Sequence, residues 1–323
     1  MPKVSIVIPV YGVEEYIQYS ARSLFEQTFK DIEYIFINDC TKDLSLEKLM
    51  EVLDEYPHRK PQVRILHNKK NLGQSGTRKK GINAATGDYV IHCDSDDWVE
   101  LDWITKLYKS TIENQADLVW CDFTKCFDDG STQYTFNTAD STIEDGLLRL
   151  ITGPRWGTLW SNLVRREIVQ SSSIIWPTWN YCEDLALVFQ YTALSQKIAY
   201  VNQSLYNYRI HANSICNVRD RLKRFENYNG AINATLTELK CSKRVGLYEK
   251  FRPYCLAEIF KSKSCVLDLG KTSFEGCRLW HQTVDNCTVF DVWDSNLSFK
   301  QKILATLTYF YITPFLKKLK LVH

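Results

Sequence analysis

The sequence predicts an α/β fold, in which helices flank a mostly parallel sheet and a helical extension follows at the C-terminus. Three observations indicate this fold. Strand and helix patterns alternate through the first third of the chain, an order that requires parallel strands with right-handed crossovers. Apolar residues make up 45% of the 323 residues and charged residues 24%, proportions that allow a packed core. Long helical stretches begin near residue 222, so we expect one domain over residues 1–220 and a helical region over residues 221–323.

The elements of the first third are recognised by their apolar patterns. Short continuous apolar runs predict buried strands, and apolar residues at helical spacing predict the helices between them. The predicted strands are Val4–Val10, Glu33–Ile37, Val63–Leu66 and Tyr89–Cys93, and the predicted helices are Glu14–Gln27, Leu46–Glu55 and Gln74–Ala85.

The middle of the chain is less regular. A turn sequence separates two extended segments, and a well-defined helix precedes two short strands. The predicted elements are, in order, the strand Leu118–Phe123, the turn Asp128–Ser131, the alternating segment Thr132–Phe136, the helix Glu183–Leu194, and the strands Lys197–Val201 and Leu205–Arg209.

Composition excludes several classes of protein. The formal net charge of +2 argues against a nucleic-acid partner. The eleven cysteines are odd in number and form no Cys-x-x-Cys pair, which favours buried thiols in a reducing compartment over a disulfide frame or a zinc site. No secretory signal precedes the first strand, and no apolar run reaches the length of about 18 residues that a spanning helix needs. We therefore expect a cytoplasmic protein.

Polar and acidic residues follow the predicted parallel strands. Ligands of such sheets bind beyond the carboxyl ends of the strands. The second strand runs into Asp39, the fourth into Asp94 and Asp96, and the first has a tight exit at Pro9 and Tyr11 that can lie against a flat base. Acidic residues after strands are more often turn formers or helix caps, so each segment alone is weak evidence.

The pair Asp94 and Asp96 is more informative, although Asp-x-Asp also occurs by chance. Because the chain turns at a strand exit, the two carboxylates can diverge, one toward a ribose hydroxyl and the other toward a hard divalent cation such as Mn²⁺ or Mg²⁺. The basic run Arg78–Lys80 is typical of a solvated helix face. We assign a functional role only to Arg78, which follows Gly73 and Gly76 and can anchor a diphosphate.

Four ordered segments resemble family 2 of the inverting glycosyltransferases, which have the GT-A fold with its Rossmann-like sheet. They are Val-Ser-Ile-Val-Ile-Pro-Val-Tyr at 4–11, Ile-Asn-Asp-Cys-Thr-Lys-Asp at 37–43, Asn-Leu-Gly-Gln-Ser-Gly-Thr-Arg at 71–78, and Gly-Asp-Tyr-Val-Ile-His-Cys-Asp-Ser-Asp-Asp at 87–97. The resemblance implies a metal-dependent enzyme that moves a sugar from a nucleotide-diphosphate donor, usually a UDP-sugar, to a hydroxyl of a glycan or lipid-linked glycan acceptor in bacterial cell-surface polysaccharide synthesis.

The resemblance also implies roles for the donor-side residues. Asp39 would accept from the donor base, Asp94 would contact the nucleoside, and Asp96 would ligate the metal beside the diphosphate. Arg78 would lie near the base or the phosphates. One departure concerns the second strand, where the family usually has Asp-Asp-Gly-Ser and this chain has Asn-Asp-Cys-Thr at 38–41.

Two later segments resemble the segments that form the acceptor and metal sites in the same family. Tyr-Cys-Glu-Asp at 181–184 resembles its Glu-Asp pair at the start of a helix, which implies a catalytic base at Asp184 with Glu183 as the second choice. The alternative is that both are first-turn acids stabilised by the helix dipole. Tyr-Arg-Ile-His at 208–211 implies that His211 joins the metal shell, although a lone histidine more often packs or caps.

Two aromatic residues near the expected base are candidates for acceptor binding. Trp160 and Trp179 come from two tryptophan-rich segments, at 156–160 and 176–179, that precede Asp184 in the sequence. An indole can stack on the C–H face of a sugar, and packing in the core is the alternative for each ring.

The C-terminal segment 300–320 has an apolar centre flanked by lysines. Such a segment can lie on the anionic inner face of the cell membrane, and it can equally be a helix docked on the catalytic domain or on a partner chain.

Two other functions compete with glycosyl transfer. A non-catalytic nucleotide-sugar-binding or scaffold protein would be free to lose its acidic and basic site residues, which this chain retains. A sugar-phosphate nucleotidyltransferase would need a glycine- and arginine-rich loop after the first strand, and residues 9–14 contain one glycine and no basic residue.

Overall fold

The structure is a computed structural model that describes residues 2–140, 142–153, 155–179, 182–210, 221–241, 246–264, 273–283 and 287–314. By its internal contacts the chain divides into two compact units. The first comprises residues 1–150 and 154–214, and the second comprises residues 151–153 and 215–323.

One sheet of nine strands forms the centre of the first unit, in the order β3-β2-β1-β4-β8-β6-β9-β5, with β7 paired to β6. Its strands are β1 Val4–Val10, β2 Ile32–Asn38, β3 Val63–His67, β4 Tyr89–His92, β5 Trp98–Val99, β6 Leu118–Phe127, β7 Thr132–Thr135, β8 Asn162–Arg165 and β9 Ile198–Ile210.

Helices connect these strands. They are α1 Ile17–Phe25, α2 Ser45–Glu55, α3 Gly73–Ala84, α4 Trp103–Asn114, α5 Ile143–Thr152, α6 Arg166–Val169 and α7 Glu183–Leu194, with short 3₁₀ turns at Lys60–Gln62 and Leu159–Ser161. The prediction did not include α4, α5 or α6.

The first four strands are parallel and end at one edge of the sheet. Val10 at the end of β1 lies opposite Asn38 at the end of β2, and Asn38 lies opposite His67 at the end of β3. On the other side of β1, Val7 pairs with His92 at the end of β4. The segments that follow these strands therefore share the same edge, as the alternation of strands and helices predicts.

The second half of the sheet differs from the prediction. β8 inserts antiparallel between β4 and β6, and β9 pairs parallel to β6 along nearly its whole length. The two short strands predicted over residues 197–209 are wrong, because they form the single strand β9. The gap between the two predicted strands lies where the β6–β9 register shifts, next to Cys121 and Asp122, and the strand continues through this irregularity.

Helix α3 lies close against the sheet because of Gly81. A Cβ atom at this position would be 2.7 Å from Ile37 Cδ1 and would also collide with Val7. The absence of a side chain therefore lets the helix backbone approach β1 and β2 directly. This close approach fixes the distance of Arg78 from the sheet, because Arg78 lies three residues earlier on the same helix.

The second unit is helical, as predicted. Its helices are α8 Arg221–Cys241, α9 Leu247–Ser264, α10 Ser273–Thr283, α11 Val289–Asp294 and α12 Phe299–Tyr309. The shortest and the last begin with capping boxes, formed by Thr288 with Asp291 and by Ser298 with Gln301. Its core contains Leu256, Ala257, Phe260, Trp280, Val292 and Leu297.

Candidate active site

The centre of the site is the buried guanidinium of Arg78, which lies on α3 and is 1% exposed. Its Nη2 donates to Asp94 Oδ1 at 2.7 Å, while Nη1 donates to Glu183 Oε1 at 2.7 Å and to Asp184 Oδ1 at 2.5 Å. Asp94 follows β4, and the two other acids begin α7. One side chain thus joins the carboxylate of Asp94 to a helix that lies more than 100 residues later in the sequence.

These three acids and Arg78 form one ionic network, here called the Arg78 cluster, with three carboxyl groups for one cation. Burial and the charge of Asp184 raise the pKa of Glu183 to about 8. Burial also raises the pKa of Asp94, although Arg78 opposes the shift. Burial disfavours the charge of Arg78, but the carboxylates of Asp184, Asp94 and Glu183 outweigh it and raise its pKa. At neutral pH we therefore expect a charged Arg78 and a protonated Glu183.

Asp184 is the more accessible of the two predicted base candidates. Its side chain is 20% exposed, against 5% for Glu183. The backbone N–H of Leu159 donates to its second oxygen, Oδ2, at 3.2 Å. The position of Asp184 is therefore fixed from two sides, while its side chain stays partly exposed.

The acidic residues in the turn after β4 have different surroundings. Asp97 is buried, and its oxygens accept from Tyr206 Oη at 2.8 Å and from the backbone N–H of Arg209 at 2.7 Å. Burial and the charge of Asp96 raise the pKa of Asp97 well above its ordinary value. Tyr206 Oη also accepts from the backbone N–H of Asp94. Asp97 thus fixes the turn to β9, whereas the half-buried Asp96 can reach a ligand.

Asp39 fixes the start of α3. Its carboxylate is buried and accepts from the Asn68 side chain at 2.7 Å and from the backbone N–H groups of Leu72 and Gly73 at 2.8 and 3.0 Å. Negative charge at a helix N-terminus is favourable. The structure thus gives Asp39 an architectural role, and its contact with a donor base stays a prediction.

The exits of β1 and β2 lie side by side. The backbone N–H of Asp39 donates to Val10 O at 3.0 Å, and the N–H of Gly12 donates to the Thr41 hydroxyl at 2.9 Å. Tyr11 is exposed beside this joint, and Pro9 is half-buried within β1. Both remain candidates for contact with the base.

Cys40 occupies the place of the glycine that the resemblance leads one to expect. Its φ angle is +61°, in the left-handed region that favours glycine. The residue therefore keeps the backbone conformation of a glycine despite the change of side chain. Its thiol donates to Asn68 O at 3.2 Å.

The half-buried Asp96 is the candidate ligand for a divalent cation at this turn. Among the described residues, no group of three or more His, Cys, Asp or Glu side chains could hold a metal by itself. Mg²⁺ and similar ions are typically held by one or two carboxylates together with substrate phosphates, and Asp96 suits that arrangement. The predicted ligand His211 lies outside the described residues.

Trp160 does not have the position that its predicted role requires. It is 4% exposed and stacks on Tyr206 with ring centres 4.3 Å apart, while Phe123 contacts it edge-on. The indole belongs to the core, so its assignment to the acceptor is corrected. Trp179 is half-buried, its indole nitrogen has no hydrogen-bond partner among the described residues, and its acceptor role stays a prediction.

Sequence reasoning missed the residues that position the acids from a distance. Tyr206 and the backbone of Arg209 hold the turn after β4, and the backbone of Leu159 holds Asp184. Trp156, four residues before the buried Trp160, is exposed. The alternating pattern of β9 contains Tyr206, but no local signal indicates its partner.

A shallow cleft of about 410 Å³ lies away from these residues. Its lining includes Lys3, Asp88 and Arg165 and none of the predicted site residues. We place the active site at the carboxyl edge instead, because the perturbed acids gather there around Arg78.

The comparisons with known proteins agree on one family. Residues 5–168 match the family model described as Glycosyl transferase family 2. EpsH of Bacillus subtilis, which is named a glycosyltransferase, is 30% identical over 284 residues, covering 84% of this chain and 78% of that protein.

Solved structures with low sequence identity share the fold. S. aureus TarS 1–349 in complex with UDP-GlcNAc has a TM-score of 0.70 at 16% identity, covering 91% of this chain and 84% of that one. The mannosyltransferase PcManGT from Pyrobaculum calidifontis, in complex with GDP-Man and Mn²⁺, has a TM-score of 0.55 at 12% identity, covering 98% and 87%. The predicted GT-A fold is thereby confirmed.

Proposed function

The chain belongs to glycosyl transferase family 2 and is a glycosyltransferase, and from this premise we propose that it transfers a sugar from a UDP-sugar to an acceptor hydroxyl with inversion at the anomeric carbon. The observation that carries the proposal is the Arg78 cluster. It links Asp94, on the donor side, to Asp184, on the acceptor side, through a single guanidinium.

The donor would lie along the carboxyl edge of the sheet. Tyr11 and Pro9 border the space where the base would bind, Asp39 lies at the same edge, and Asp94 and Asp96 follow the adjacent strand. A uridine donor is supported by TarS, which is described in complex with UDP-GlcNAc.

Asp184 would act as the base. As the acceptor oxygen attacks the anomeric carbon, its proton passes to the Asp184 carboxylate. The bond from the anomeric carbon to the diphosphate breaks, and its electron pair leaves with the nucleotide. A positioned base contributes about 10²–10⁴-fold to such a step. Arg78 and the N–H of Leu159 hold the carboxylate in a fixed orientation.

We infer that the reaction depends on Mn²⁺ or Mg²⁺, with Asp96 as the protein ligand. PcManGT is described with Mn²⁺, and the half-buried Asp96 lies in the turn after β4, at the edge where the diphosphate would bind. A bound cation would neutralise charge on the departing nucleotide. Arg209, whose Nε donates to the backbone oxygen of Asp96 at 2.9 Å, keeps this turn in place.

Adjacent acids provide a matched test of the donor site. We predict that Asp96→Asn weakens metal-dependent UDP binding by at least about tenfold, because it removes one charged ligand. Asp97→Ala should destabilise the fold by about 1–3 kcal/mol, because Tyr206 Oη and the backbone N–H of Arg209 both lose their buried acceptor.

Calorimetry checks both effects. UDP-, GDP- and TDP-sugars are titrated into each protein with Mn²⁺, with Mg²⁺ and with EDTA, and the melting temperature is measured in parallel. Metal-independent binding, or equal binding by wild type and Asp96→Asn, would rule out the assigned metal site. No binding of any sugar nucleotide would rule out the donor proposal.

We further propose that the protein works at the inner face of the cell membrane on a glycan or lipid-linked glycan. In the second unit, α11 and α12 present exposed apolar rings, with Phe290 at 76% and Phe299 at 72%, next to the exposed Lys300. Aromatic and basic residues of this kind favour the interface of an anionic bilayer. In the described part of the chain, no helix is both long and apolar enough to span a membrane. Residues 315–320 of the predicted contact lie outside the described residues.

A further inference from the structure

Trp156 presents an exposed indole on the chain segment that holds the candidate base. It is 42% exposed and lies in the segment that leads to Leu159, whose N–H donates to Asp184. Gly157 packs on the first turn of α7, where an added Cβ would be 2.9 Å from the Leu185 Cα. Three residues span at most about 11 Å of chain, so the indole lies within reach of a sugar bound at Asp184.

A second set of contacts joins Trp156 to the donor side. Its ring meets Phe123 edge-on, with centres 5.5 Å apart, and Phe123 in turn contacts Trp160 at 4.8 Å. Trp160 stacks on Tyr206, whose hydroxyl donates to Asp97. A continuous row of aromatic rings therefore runs from the turn after β4 to the exposed indole.

Lys125 adds a cation to this surface. It follows Phe123 by two residues on β6, so both side chains project from the same face of the sheet. Its Nζ lies 4.5 Å from the centre of the Trp156 ring. An ammonium over an indole is attractive, and the long lysine side chain can move aside without leaving the surface.

A sugar ring has the complementary chemistry. One face of a pyranose is a flat array of C–H groups that packs on an indole, and its edge carries hydroxyl or carboxylate oxygens that accept from an ammonium. We propose that Trp156 and Lys125 form the binding subsite for a sugar ring of the acceptor. The inference rests on the proposed function, and it moves the acceptor's aromatic contact from the buried Trp160 to the exposed Trp156.

The test measures saccharide binding to the protein loaded with UDP and Mn²⁺. Saturation-transfer NMR titrations use the methyl glycosides of glucose, galactose, N-acetylglucosamine and glucuronic acid. We expect at least one to bind, with affinity lowered about tenfold or more in Trp156→Ala and largely kept in Trp156→Phe. Lys125→Met should weaken the glucuronide more than the neutral sugars.

Two controls separate this inference from the proposed function. UDP affinity should be the same in wild type and Trp156→Ala, which also shows that the variant is folded. Phe136→Ala removes another exposed ring, from the segment after β7, and should leave saccharide binding unchanged. If UDP binds but no glycoside does, or if Trp156→Ala binds the glycoside as tightly as wild type, the subsite is refuted. Absence of UDP binding would instead refute the proposed function.

Discussion

At the scale of single residues, the site depends on one arginine with an unexpected position. The sequence led us to expect that Arg78 anchors a diphosphate, yet its Nη nitrogens are occupied by Asp94, Glu183 and Asp184. A planar guanidinium can bond several carboxylates in fixed directions, which a lysine ammonium cannot. Arg78 therefore acts mainly by orienting acids, and contact with phosphate stays a prediction.

The protonation of Glu183 has a measurable consequence for stability. Its pKa is 4.5 in the unfolded chain and about 8 in the folded one, so the folded state holds an additional proton between these values. The stabilisation from that proton is complete below pH 4.5. It falls as the pH rises from 4.5 to about 8, and it is lost above that value. We predict that wild type loses at least about 1 kcal/mol more stability between pH 6 and pH 9 than Glu183→Gln.

Urea unfolding at a series of pH values measures this difference. Glu47→Gln is the matched control, because Glu47 is also a first-turn acid, on α2, but is exposed. It should follow the wild-type profile. Parallel pH profiles for wild type and Glu183→Gln would mean that Glu183 is already ionised at neutral pH, which would contradict its assignment as a protonated acid.

At the scale of elements, two cysteines in left-handed conformation border the elements that carry site acids. Cys40 follows β2 with φ +61°, and Cys182 precedes α7 with φ +60°. Each lies directly beside a predicted site acid, Asp39 or Glu183. Unfavourable backbone conformations of this kind concentrate at functional sites.

Cys40 provides a test of this strain. A non-glycine residue in the left-handed region costs about 1 kcal/mol relative to glycine, so Cys40→Gly should keep or raise stability by up to about 1 kcal/mol, despite losing the weak bond from its thiol to Asn68 O. The same exchange at Cys126, on the extended strand β6, should destabilise by about 0.5–1 kcal/mol. Equal losses at both positions in chemical denaturation would contradict the strain argument.

Local patterns predicted the first half of the sheet and the shared edge where its polar residues gather. β1 agrees to the residue, and so does α7, because a buried strand and a buried helix can be recognised from the spacing and length of their apolar residues. The parallel order of β1 to β4 then brings the strand ends together without further information.

Contacts between distant segments could not be predicted in this way. Tyr206 and its partner Asp97 are 109 residues apart, and Arg78 and Glu183 are 105 apart. Trp156 and Trp160 lie four residues apart in one tryptophan-rich segment, and no local pattern shows that Trp160 is the ring that stacks on Tyr206 and is buried. The continuity of β9 likewise depends on the length of β6 beside it.

At the scale of the whole molecule, the second unit carries the proposed membrane contact. We predict that the protein floats with vesicles containing phosphatidylglycerol and that salt releases it, since each lysine near an anionic surface contributes about 1 kcal/mol. The double variant Phe290→Ser and Phe299→Ser should lose most of the binding, because both rings are exposed on the helical unit.

Ile112→Ser is the control for this experiment. Ile112 is an exposed apolar residue of the first unit, so its variant should float like wild type. Wild type that stays unbound at low salt, or a double variant that floats equally well, would refute the membrane contact.

The measurement that tests the central claim most directly is UDP release by Asp184→Asn. It is compared with wild type on the UDP-sugar that wild type consumes fastest, with UDP affinity and melting temperature measured on the same samples. If Asp184 is the base, the turnover number falls by about 10²–10⁴-fold, while UDP affinity stays within about threefold because the donor contacts remain. Unchanged turnover in Asp184→Asn would contradict the assignment of the base and the role of the Arg78 cluster in holding it.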